Sequence, residues 1–496
     1  MRTRRGFIRD TALAVPMVGR AWSQQTCRGT DPRIQHIVVL MLENRSFDHM
    51  LGFTFQNDPK VEGFPADLSR LPQNLDKTNE PVRPQGETEF SGDFYPDPGH
   101  DYEDVTIQVF NSEEPTGCPN MQGFVNSYLK MCKKPENARL DRSPEMQSRR
   151  IMNAYQDGRL PILQTLAREY AVCDRWFCSV PGPTLPNRKF VHAGTSEGQL
   201  DLSVAEFNVS PTIYEVLDGD NVSSAIYADG WTAAATFKNL IKFQDRFFGT
   251  LDDFFQDCAE NRLPAYCFLE PRYASGMTNG VLHPQNDQHP DSDVHAGEDL
   301  IYSVYKAISS NPKVWTSTML VIVYDEHGGI FDHVFPENTV SPDGRRDRRF
   351  PGFNFDLLGP RVPAVIVSAY TQQNPLKQCF DHTSVIATAR LLLTEKSKDP
   401  ALWARAQQAN TFEGALNLDC PAPPYDFGNY RVNQKVKRAK EKRPNHLQLK
   451  WKDFAKHVDS TLPPSQRSPI DPNTVHTDQD IQRYLESVYA GVRGQR

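Results

Sequence analysis

Apolar runs that end abruptly in acidic residues are the clearest pattern along this chain. Two such runs occur, at 37–42 and at 319–324, and the residues that follow them are Glu43 and Asn44 in the first case and Asp325 and Glu326 in the second. A short continuous apolar run is typical of a strand buried on both faces of a sheet. Because neighbouring ionised carboxylates repel one another, the pattern predicts one shared site that holds a divalent metal ion, with strand-end caps and solvated turns as the alternative.

Helical periodicity and a further apolar run complete the predicted fold. Residues 143–170 and 294–310 have helical spacing, and 362–369 supplies another buried strand after the one at 319–324. Helix, strand, loop and strand in this order predict an α/β fold with a central, largely parallel sheet flanked by helices. We predict that four aromatic residues lie in the core rather than on a lipid-binding surface, namely Phe247, Phe248, Phe254 and Phe255.

A change in composition near residue 396 divides the chain. We predict a catalytic domain with insertions over 34–395 and a small helical or irregular C-terminal region over 396–496, although 496 residues also allow two or three domains. The basic run between 435 and 443 is interpreted as a solvated helix or linker rather than a phosphate-binding segment. A net charge of -7 gives no global attraction to nucleic acid or to an anionic membrane.

The first 23 residues have the pattern of a twin-arginine export signal. Arg4 and Arg5 precede a short apolar stretch at 11–19, and small residues occupy the cleavage-determining positions at 21 and 23. We therefore expect the mature protein to be periplasmic or secreted, with a frayed N-terminal arm as the alternative. Past this segment, the sequence has no apolar stretch of about 20 residues, the length that a membrane-spanning helix requires.

Cysteine spacing argues against a zinc knuckle, because none of the nine cysteines forms a CxxC pair. An oxidising destination permits disulfides, and the closest candidate pairs are Cys118 with Cys132 and Cys258 with Cys267. The connectivity cannot be deduced from the sequence, and the odd count leaves at least one thiol unpaired within the chain.

A threonine between prolines is the candidate nucleophile. Thr184 lies in the sequence VPGPTLPNR, whose prolines restrict the backbone and present the hydroxyl rigidly. A nearby divalent cation would make this weak nucleophile reactive, and Asn187 and Arg188 could donate hydrogen bonds to phosphate oxygens. The alternative is that Thr184 is an ordinary turn residue.

Several histidines accompany acids in turn-like sequence. His289 and Asp293 are four residues apart, so they could face the same way if the segment were helical. Each is a competent ligand or acid. Three further histidines occur in such settings, namely His100 after Asp97-Pro98-Gly99, His333 after Asp332, and His382 after Asp381. Taken singly, each could equally be structural.

Eight separated motifs resemble one family. In chain order they are LENRSFDHMLG, DPGHDY, VPGPTLPNR with VHAGTS, LPAYCFLEPRY, HPDSDVHAGE, YDEHGGIFDHV, RVPAVIVSAY and FDHTS. Together they resemble, over roughly 34–395, the bacterial phosphoesterase family that includes non-specific phospholipases C and acid phosphatases of the alkaline phosphatase superfamily. The resemblance implies that superfamily's α/β core and hydrolysis of phosphate esters by in-line displacement on a metal-assisted hydroxyl.

The resemblance also implies a role for each matching residue. Thr184 would be the nucleophile, and His289, with His100 and His333, would contact phosphate or protonate the leaving group. Substrate binding would fall to Asn187, Arg188 and His192. The implied metal ligands are Glu43, Asn44, Asp325 and Glu326, while Asp293 and His382 would serve a second metal position if one exists. The metal's identity and number, one or two, are left open.

Three functions remain open at this stage. The first is a secreted phospholipase C that acts on phospholipid head groups, with transient contact with a membrane surface and without a stable protein partner or nucleic acid. An exported acid phosphatase of broad specificity would use the same chemistry on phosphomonoesters. A non-catalytic binding protein that retained the fold is the third alternative, and it would show no turnover with any phosphate ester.

Overall fold

The computed structural model describes residues 33–494 except for 87, 91–93, 138–141, 204–206, 243–246, 279–280, 395–403 and 433–443. The predicted export signal and the whole predicted basic run lie outside the described residues. Residues Pro32–Arg496 form one compact unit. The boundary at 395/396 between a catalytic domain and a C-terminal region stays a prediction.

A seven-stranded sheet forms the centre, in the order β4-β11-β10-β1-β7-β5-β6. Its strands are β1 (His36–Leu42), β4 (Ala171–Val172), β5 (Ser224–Ala228), β6 (Phe248–Thr250), β7 (Tyr266–Glu270), β10 (Thr318–Tyr324) and β11 (Ala364–Ser368). Strands β10, β1, β7, β5 and β6 run parallel to one another, whereas β11 is antiparallel to both of its neighbours. Two small hairpins lie apart from the sheet, β2 (Asn74–Leu75) with β3 (Pro81–Val82) and β8 (Gly276–Thr278) with β9 (Val281–His283). The predicted α/β fold with a largely parallel sheet is confirmed, with β11 as the exception.

Helices surround this sheet. Those in the first half of the chain are α1 (Phe47–Leu51), α2 (Tyr102–Phe110), α3 (Phe124–Cys132), α4 (Pro144–Arg149), α5 (Leu163–Glu169), α6 (Thr184–Ala193), α7 (Ile213–Gly219) and α8 (Lys238–Lys242). The later ones are α9 (Leu251–Glu260), α10 (Val294–Ser310), α11 (Pro312–Trp315), α12 (Thr383–Leu393), α13 (Ala404–Gln408), α14 (His446–Thr461) and α15 (Asp478–Val492). In the described part of the chain, no helix combines the length and the apolar character needed to cross a bilayer.

Two predicted helical segments have different outcomes. The helix predicted at 294–310 coincides with α10, which begins where the Asp293 carboxylate accepts a hydrogen bond from the backbone N–H of His295. The segment at 143–170 is not one helix, because a 3₁₀ turn at Arg150–Met152 and an irregular stretch separate α4 from α5. Apolar periodicity alone could not reveal this break.

The aromatic residues near 250 lie in the core, as predicted. Phe247 and Phe254 are buried, and Phe248 and Phe255 are partly buried against the same core cluster. The candidate disulfides do not form, because Cys118, Cys132, Cys258 and Cys267 are all free thiols.

The last two helices pack on each other and on the catalytic core. Trp451 of α14 lies against Trp231 and Tyr273, with ring centroids 6.4 and 5.4 Å away. A second cluster of buried residues therefore joins α14 and α15 to segments that follow β5 and β7. This packing is the source of the contacts between the C-terminal region and the site described below.

Candidate active site

The carboxyl ends of β1 and β10 bring the two predicted acidic segments together. The strands pair in parallel with Leu42 opposite Tyr324, so the residues that follow them emerge side by side. The backbone N–H of Asn44 donates to Asp325 Oδ1 at 3.0 Å. Glu43, Asn44, Asp325 and Glu326 are all fully buried. The four residues that the sequence predicted as metal ligands thus form one cluster at the edge of the sheet.

Thr184 is the first residue of α6 and points at this cluster. Its hydroxyl donates to Asn44 Oδ1 at 3.2 Å. The Asn187 side chain holds the preceding loop, because its amide donates to the carbonyls of Gly182 and Pro183 at 2.9 and 3.1 Å and accepts from Val180 N at 3.1 Å. Asn187 was predicted to bind phosphate, but in the structure its amide is engaged by this loop, and it therefore fixes the position of Thr184.

Arg188 lies between three carboxylates rather than facing open space. Its guanidinium donates to Asp325 Oδ2 at 3.1 Å and to Glu270 Oε2 at 2.6 Å, and it lies 3.0 Å from Glu43 Oε1. Another donor reaches the carbonyl of Leu42 at 3.2 Å. The predicted contact with phosphate is not the arrangement seen here, since this buried side chain is surrounded by protein acceptors. Its charge instead offsets part of the negative charge of the cluster.

Negative charge still exceeds positive charge in the cluster. Burial raises the pKa of Glu43 well above its usual range, and the neighbouring Asp325 adds to the effect while Arg188 opposes it. Burial likewise raises the pKa of Asp325 to about 6, against the opposing effect of Arg188. Such shifts mean that these carboxylates are short of compensating positive charge.

The carboxylate oxygens also fit a divalent cation. Among the described residues, no hydrogen bond reaches either oxygen of Glu43 or Oε1 of Glu326, although all three are buried. The contact of Glu43 Oε1 with Arg188 is an ion pair without hydrogen-bond geometry. Unpaired buried carboxylate oxygens cost free energy unless a cation binds them, and hard cations such as Ca²⁺, Mg²⁺ and Mn²⁺ prefer oxygen ligands. Glu43, Asn44, Asp325 and Glu326 are therefore the residues that would hold the metal.

His289 is the second basic side chain that acts on Glu43, after Arg188. Its Nδ1 lies 2.7 Å from Asp291 Oδ1, and its Nε2 lies 3.4 Å from Asp97 Oδ2. Burial lowers the pKa of His289, but the two carboxylates outweigh it and raise the pKa well above its usual range. The two carboxylates therefore favour the protonated ring, which is the form that a proton donor needs.

His100 belongs to the same region. Its Nδ1 lies 2.9 Å from the carbonyl oxygen of Pro98, so Nε2 is the nitrogen that remains for other partners. Burial lowers the pKa of His100, but the charges of Glu326 and Asp97 raise it above its usual range. The structure thus places His100 close to both the carboxylates and His289.

His333 lies in a separate cluster. Its Nδ1 is 2.7 Å from Asp48 Oδ2, and with Asp332 these residues have ligand atoms within 4.8 Å of one another. Arg361 already supplies positive charge there, since it donates to Asp332 Oδ1 at 2.8 Å and to Asp48 Oδ1 at 3.0 Å. This group of acids does not need a metal ion for neutralisation, and the structure gives His333 a place beside an internal ion pair.

The remaining predicted residues have other surroundings. His382 donates from Nε2 to the carbonyl of Asp325 at 2.6 Å and accepts from Trp176 Nε1 at 3.4 Å, so both ring nitrogens are engaged. Asp293 caps α10 and contacts His295. His192 lies among aromatic rings, 4.5 Å from the centroid of Phe268.

Sequence reasoning missed several acids of the site. Glu270 ends β7 and binds Arg188, Tyr273 and the N–H of Ala233. The rule that located Glu43 and Asp325, an acid at the end of a buried strand, would also have found Glu270. Asp291 is only two residues from His289 and could have been found from the sequence, whereas only the fold brings Asp97 to His289.

Comparisons with known proteins identify the family of this chain. The sequence profile of the Phosphoesterase family matches residues 34–392. Non-specific phospholipase C3 from Arabidopsis thaliana is 33% identical over 418 residues, which cover 78% of this chain and 75% of that protein. Phospholipase C B from Mycobacterium tuberculosis is 29% identical over 441 residues, which cover 76% and 77% of the two chains.

Solved structures show more distant likeness. A protein in the alkaline phosphatase superfamily from Vibrio parahaemolyticus aligns with a TM-score of 0.30 and 12% identity, over 52% of this chain and 65% of that one. A score this low adds no argument about function. The family assignment rests instead on the profile match and on the plant relatives, and by both the chain belongs to the phosphoesterase family and is a phosphoric ester hydrolase.

Proposed function

We propose that this protein is an exported phospholipase C-type phosphoesterase. It would hydrolyse the head-group phosphodiester of a phospholipid to diacylglycerol and a phosphorylated head group. The observation that carries the proposal is the Thr184 hydroxyl, held 3.2 Å from Asn44 Oδ1 beside Glu43 and Glu326, three of whose buried oxygens accept no hydrogen bond from the described residues. The plant and mycobacterial relatives, which are named phospholipases C, support a phosphodiester as the substrate.

The first step would be attack of Thr184 Oγ1 on phosphorus, with the proton of the hydroxyl released to solvent. The diacylglycerol oxygen leaves in line and receives a proton from His289, so the head-group phosphate becomes esterified to Thr184. Asp97 and Asp291 keep His289 protonated for this purpose. The N-terminal end of α6, where Thr184 lies, favours the negative charge of the phosphate.

The second step would release the product. Water attacks phosphorus, and its oxygen leaves with the phosphorylated head group while one of its protons goes to Thr184 Oγ1. His289 then takes up a proton from solvent. Asn187 keeps the loop of Thr184 in place through both steps, and Arg188 keeps Glu43 and Asp325 oriented. A divalent cation held by Glu43, Asn44, Asp325 and Glu326 would lower the pKa of the hydroxyl and neutralise phosphate charge.

Turnover by matched variants tests the nucleophile. Thr184→Ala should abolish turnover, Thr184→Ser should retain part of it, and both should keep the parental circular dichroism spectrum. Thr474→Ala is the control, because its surface hydroxyl donates only to a local carbonyl, Asp471 O, at 2.8 Å. Near-parental turnover by Thr184→Ala would remove Thr184 from the nucleophile role.

A substrate panel separates the phospholipase from the phosphatase. The mature protein is incubated with phosphatidylcholine vesicles, a chromogenic phosphodiester and a chromogenic phosphomonoester, with and without a chelator. Cleavage of the lipid and the diester, with little monoester cleavage, is the expected result. Preference for the monoester would select the acid phosphatase. Failure on all three substrates with divalent metal present would leave a binding protein.

Metal content tests the proposed ligands directly. Elemental analysis of the purified protein should find a divalent metal, close to one per chain, and Glu326→Gln should lower that content. Glu337→Gln is a matched control, because Glu337 is a surface acid paired with Arg175. Equal metal in all three proteins would contradict the proposed ligand set.

Export has its own test. Residues 1–23 fused to a reporter that is active only outside the bacterial cytoplasm should deliver it, and replacing Arg4 and Arg5 by lysine should block delivery. Delivery that is unaffected by these replacements would contradict the twin-arginine route.

A further inference from the structure

A capping residue of the C-terminal region contacts the proposed active site. Asn445 precedes α14 and forms a capping box with Gln448, in which Asn445 Oδ1 accepts from Gln448 N at 2.7 Å and Gln448 Oε1 accepts from Asn445 N at 3.0 Å. The box uses the side-chain oxygen and the backbone N–H of Asn445. Its side-chain amide nitrogen is left for another partner.

That amide nitrogen reaches the acid that holds His289. Asn445 Nδ2 donates to Asp291 Oδ2 at 3.0 Å, while Asp291 Oδ1 lies 2.7 Å from His289 Nδ1. One carboxylate is thus held at both oxygens, by the C-terminal helix on one side and by the candidate proton donor on the other. The contact between Asn445 and Asp291 joins residues that are 154 positions apart along the chain.

Gln448 makes a second connection to the same loop. Its side-chain amide donates to the carbonyl of Tyr273 at 3.0 Å and to Gln285 Oε1 at 3.3 Å. Gln285 in turn donates to Asp287 Oδ2 at 2.9 Å, and the carbonyl of Asp287 accepts from Glu43 N at 2.8 Å. Both members of the capping box therefore hold the loop at 285–291, and the burial of Trp451 fixes the helix that carries them.

We propose that Asn445 is a positioning residue for catalysis, acting on His289 through Asp291. This inference rests on the proposed function, because it takes His289 as the proton donor. Asp291 Oδ1 also accepts from Gln285 Nε2 at 3.4 Å. The Asn445 donor at Oδ2 adds a restraint on the plane of the carboxylate and hence on the direction of the imidazole. At metal-ligating histidines, loss of the hydrogen-bond partner on the other ring nitrogen lowers metal affinity or activity about 10–100-fold.

Replacing Asn445 by aspartate isolates the contact from the cap. Aspartate is as good an N-cap residue as asparagine, so α14 should keep its start, but a carboxylate oxygen would face Asp291 in place of the amide. We expect Asn445→Asp to lower kcat about 10-fold while KM changes less than twofold. Asn445→Ser, which also caps but lacks the amide, should lower kcat by a smaller factor.

Asn311 provides a matched control. It caps α11 through an oxygen that accepts from Lys313 N at 3.1 Å, and its amide donates to Cys258 O at 3.0 Å, away from the described site. Asn311→Asp should leave kcat unchanged. If it lowers kcat as much as Asn445→Asp, the effect is a general one of asparagine-to-aspartate replacement at helix starts, and the proposal is overturned.

A double-variant comparison tests the route through Asp291. In an Asp291→Ala background, Asn445→Asp should have no further effect on kcat, because the residue through which it acts is gone. If the two losses multiply instead, Asn445 does not act through Asp291. An unchanged kcat in Asn445→Asp alone would also overturn the proposal.

A spectroscopic measurement distinguishes this proposal from the proposed function. The ring ¹⁵N signals of His289, assigned by their loss in His289→Gln, should shift in Asn445→Asp and stay in place in Asn311→Asp. If His289→Gln retains parental kcat, His289 is not the proton donor and that part of the proposed function fails. The shift would still show whether Asn445 reaches the imidazole, and its absence would refute the contact.

Discussion

Removing the buried guanidinium of Arg188 should destabilise the protein strongly and in a pH-dependent way. Arg188 contacts Glu43, Asp325 and Glu270, and all four side chains have 0% exposure. Taking one partner out of a buried ion pair costs about 3–5 kcal/mol. Because the three carboxylates share one cation, their losses do not add, and we expect Arg188→Met to lower the free energy of unfolding by about 4 kcal/mol at pH 8.

The sign of the pH effect follows from the raised pKa values. With Arg188 present, burial already raises the pKa of Asp325 to about 6 and that of Glu43 well above its usual range. Without Arg188, the pKa values of both groups in the folded protein rise further, whereas those in the unfolded chain do not. Stability that depends on a raised folded-state pKa is present at low pH and is lost as the pH rises. The cost of Arg188→Met should therefore be larger at pH 8 than at pH 5.

Urea unfolding with chelator present, followed by tryptophan fluorescence, measures this cost. Arg262→Met is the control, since Arg262 also pairs with two acids, Asp257 and Glu260, but its side chain is 55% exposed. An exposed pair of this kind contributes about 0–1 kcal/mol. A cost below about 1 kcal/mol for Arg188→Met at pH 8, or an equal cost at pH 5, would refute the charge-compensation argument.

Three further predictions concern other parts of the fold. Gly328→Ala should cost more stability than Gly344→Ala, because both have positive φ but only at Gly328 would the new Cβ meet a backbone atom, Asn44 O at 2.1 Å; equal unfolding free energies for the two variants would contradict this. Burial raises the pKa of Glu298 from 4.5 to about 7, so the parent should lose up to about 3 kcal/mol of stability between pH 4.5 and 7.5 that Glu298→Gln does not lose, and parallel pH–stability curves would argue against it. Trp451→Ala should lower the free energy of unfolding by about 3–5 kcal/mol in urea titrations, because it empties the contact of α14 with Trp231; a cost under 1 kcal/mol would mean that α14 is not packed as described.

Local patterns in the sequence predicted three of the seven strands of the central sheet, β1, β10 and β11, and the acidic residues at the centre of the site. The runs before Glu43 and Asp325 became β1 and β10, because a short continuous apolar run is typical of a strand buried on both faces of a sheet. The acids that follow them had to lie at the same edge once the strands were parallel. Thr184 was likewise recognisable as a candidate nucleophile, since the prolines around it restrict the backbone there in any fold.

Other features depend on residues far apart in the chain. Apolar periodicity does not encode the direction of a strand or a break within a helical segment. The antiparallel direction of β11 and the break between α4 and α5 were therefore visible only in the structure. Free thiols at Cys118 and Cys132 reflect positions in space rather than spacing in sequence.

The sequence by itself determined which residues could carry the chemistry, and the tertiary structure decided what each one does. Arg188, chosen as a phosphate ligand because guanidinium groups bind phosphate well, has its donors taken by Glu43, Glu270 and Asp325. His382 follows a strand like a metal ligand, yet both of its ring nitrogens are bonded within the protein. A polar side chain has its role set by the partners that surround it after burial, and those partners come from distant segments that only the packed fold brings within hydrogen-bonding distance.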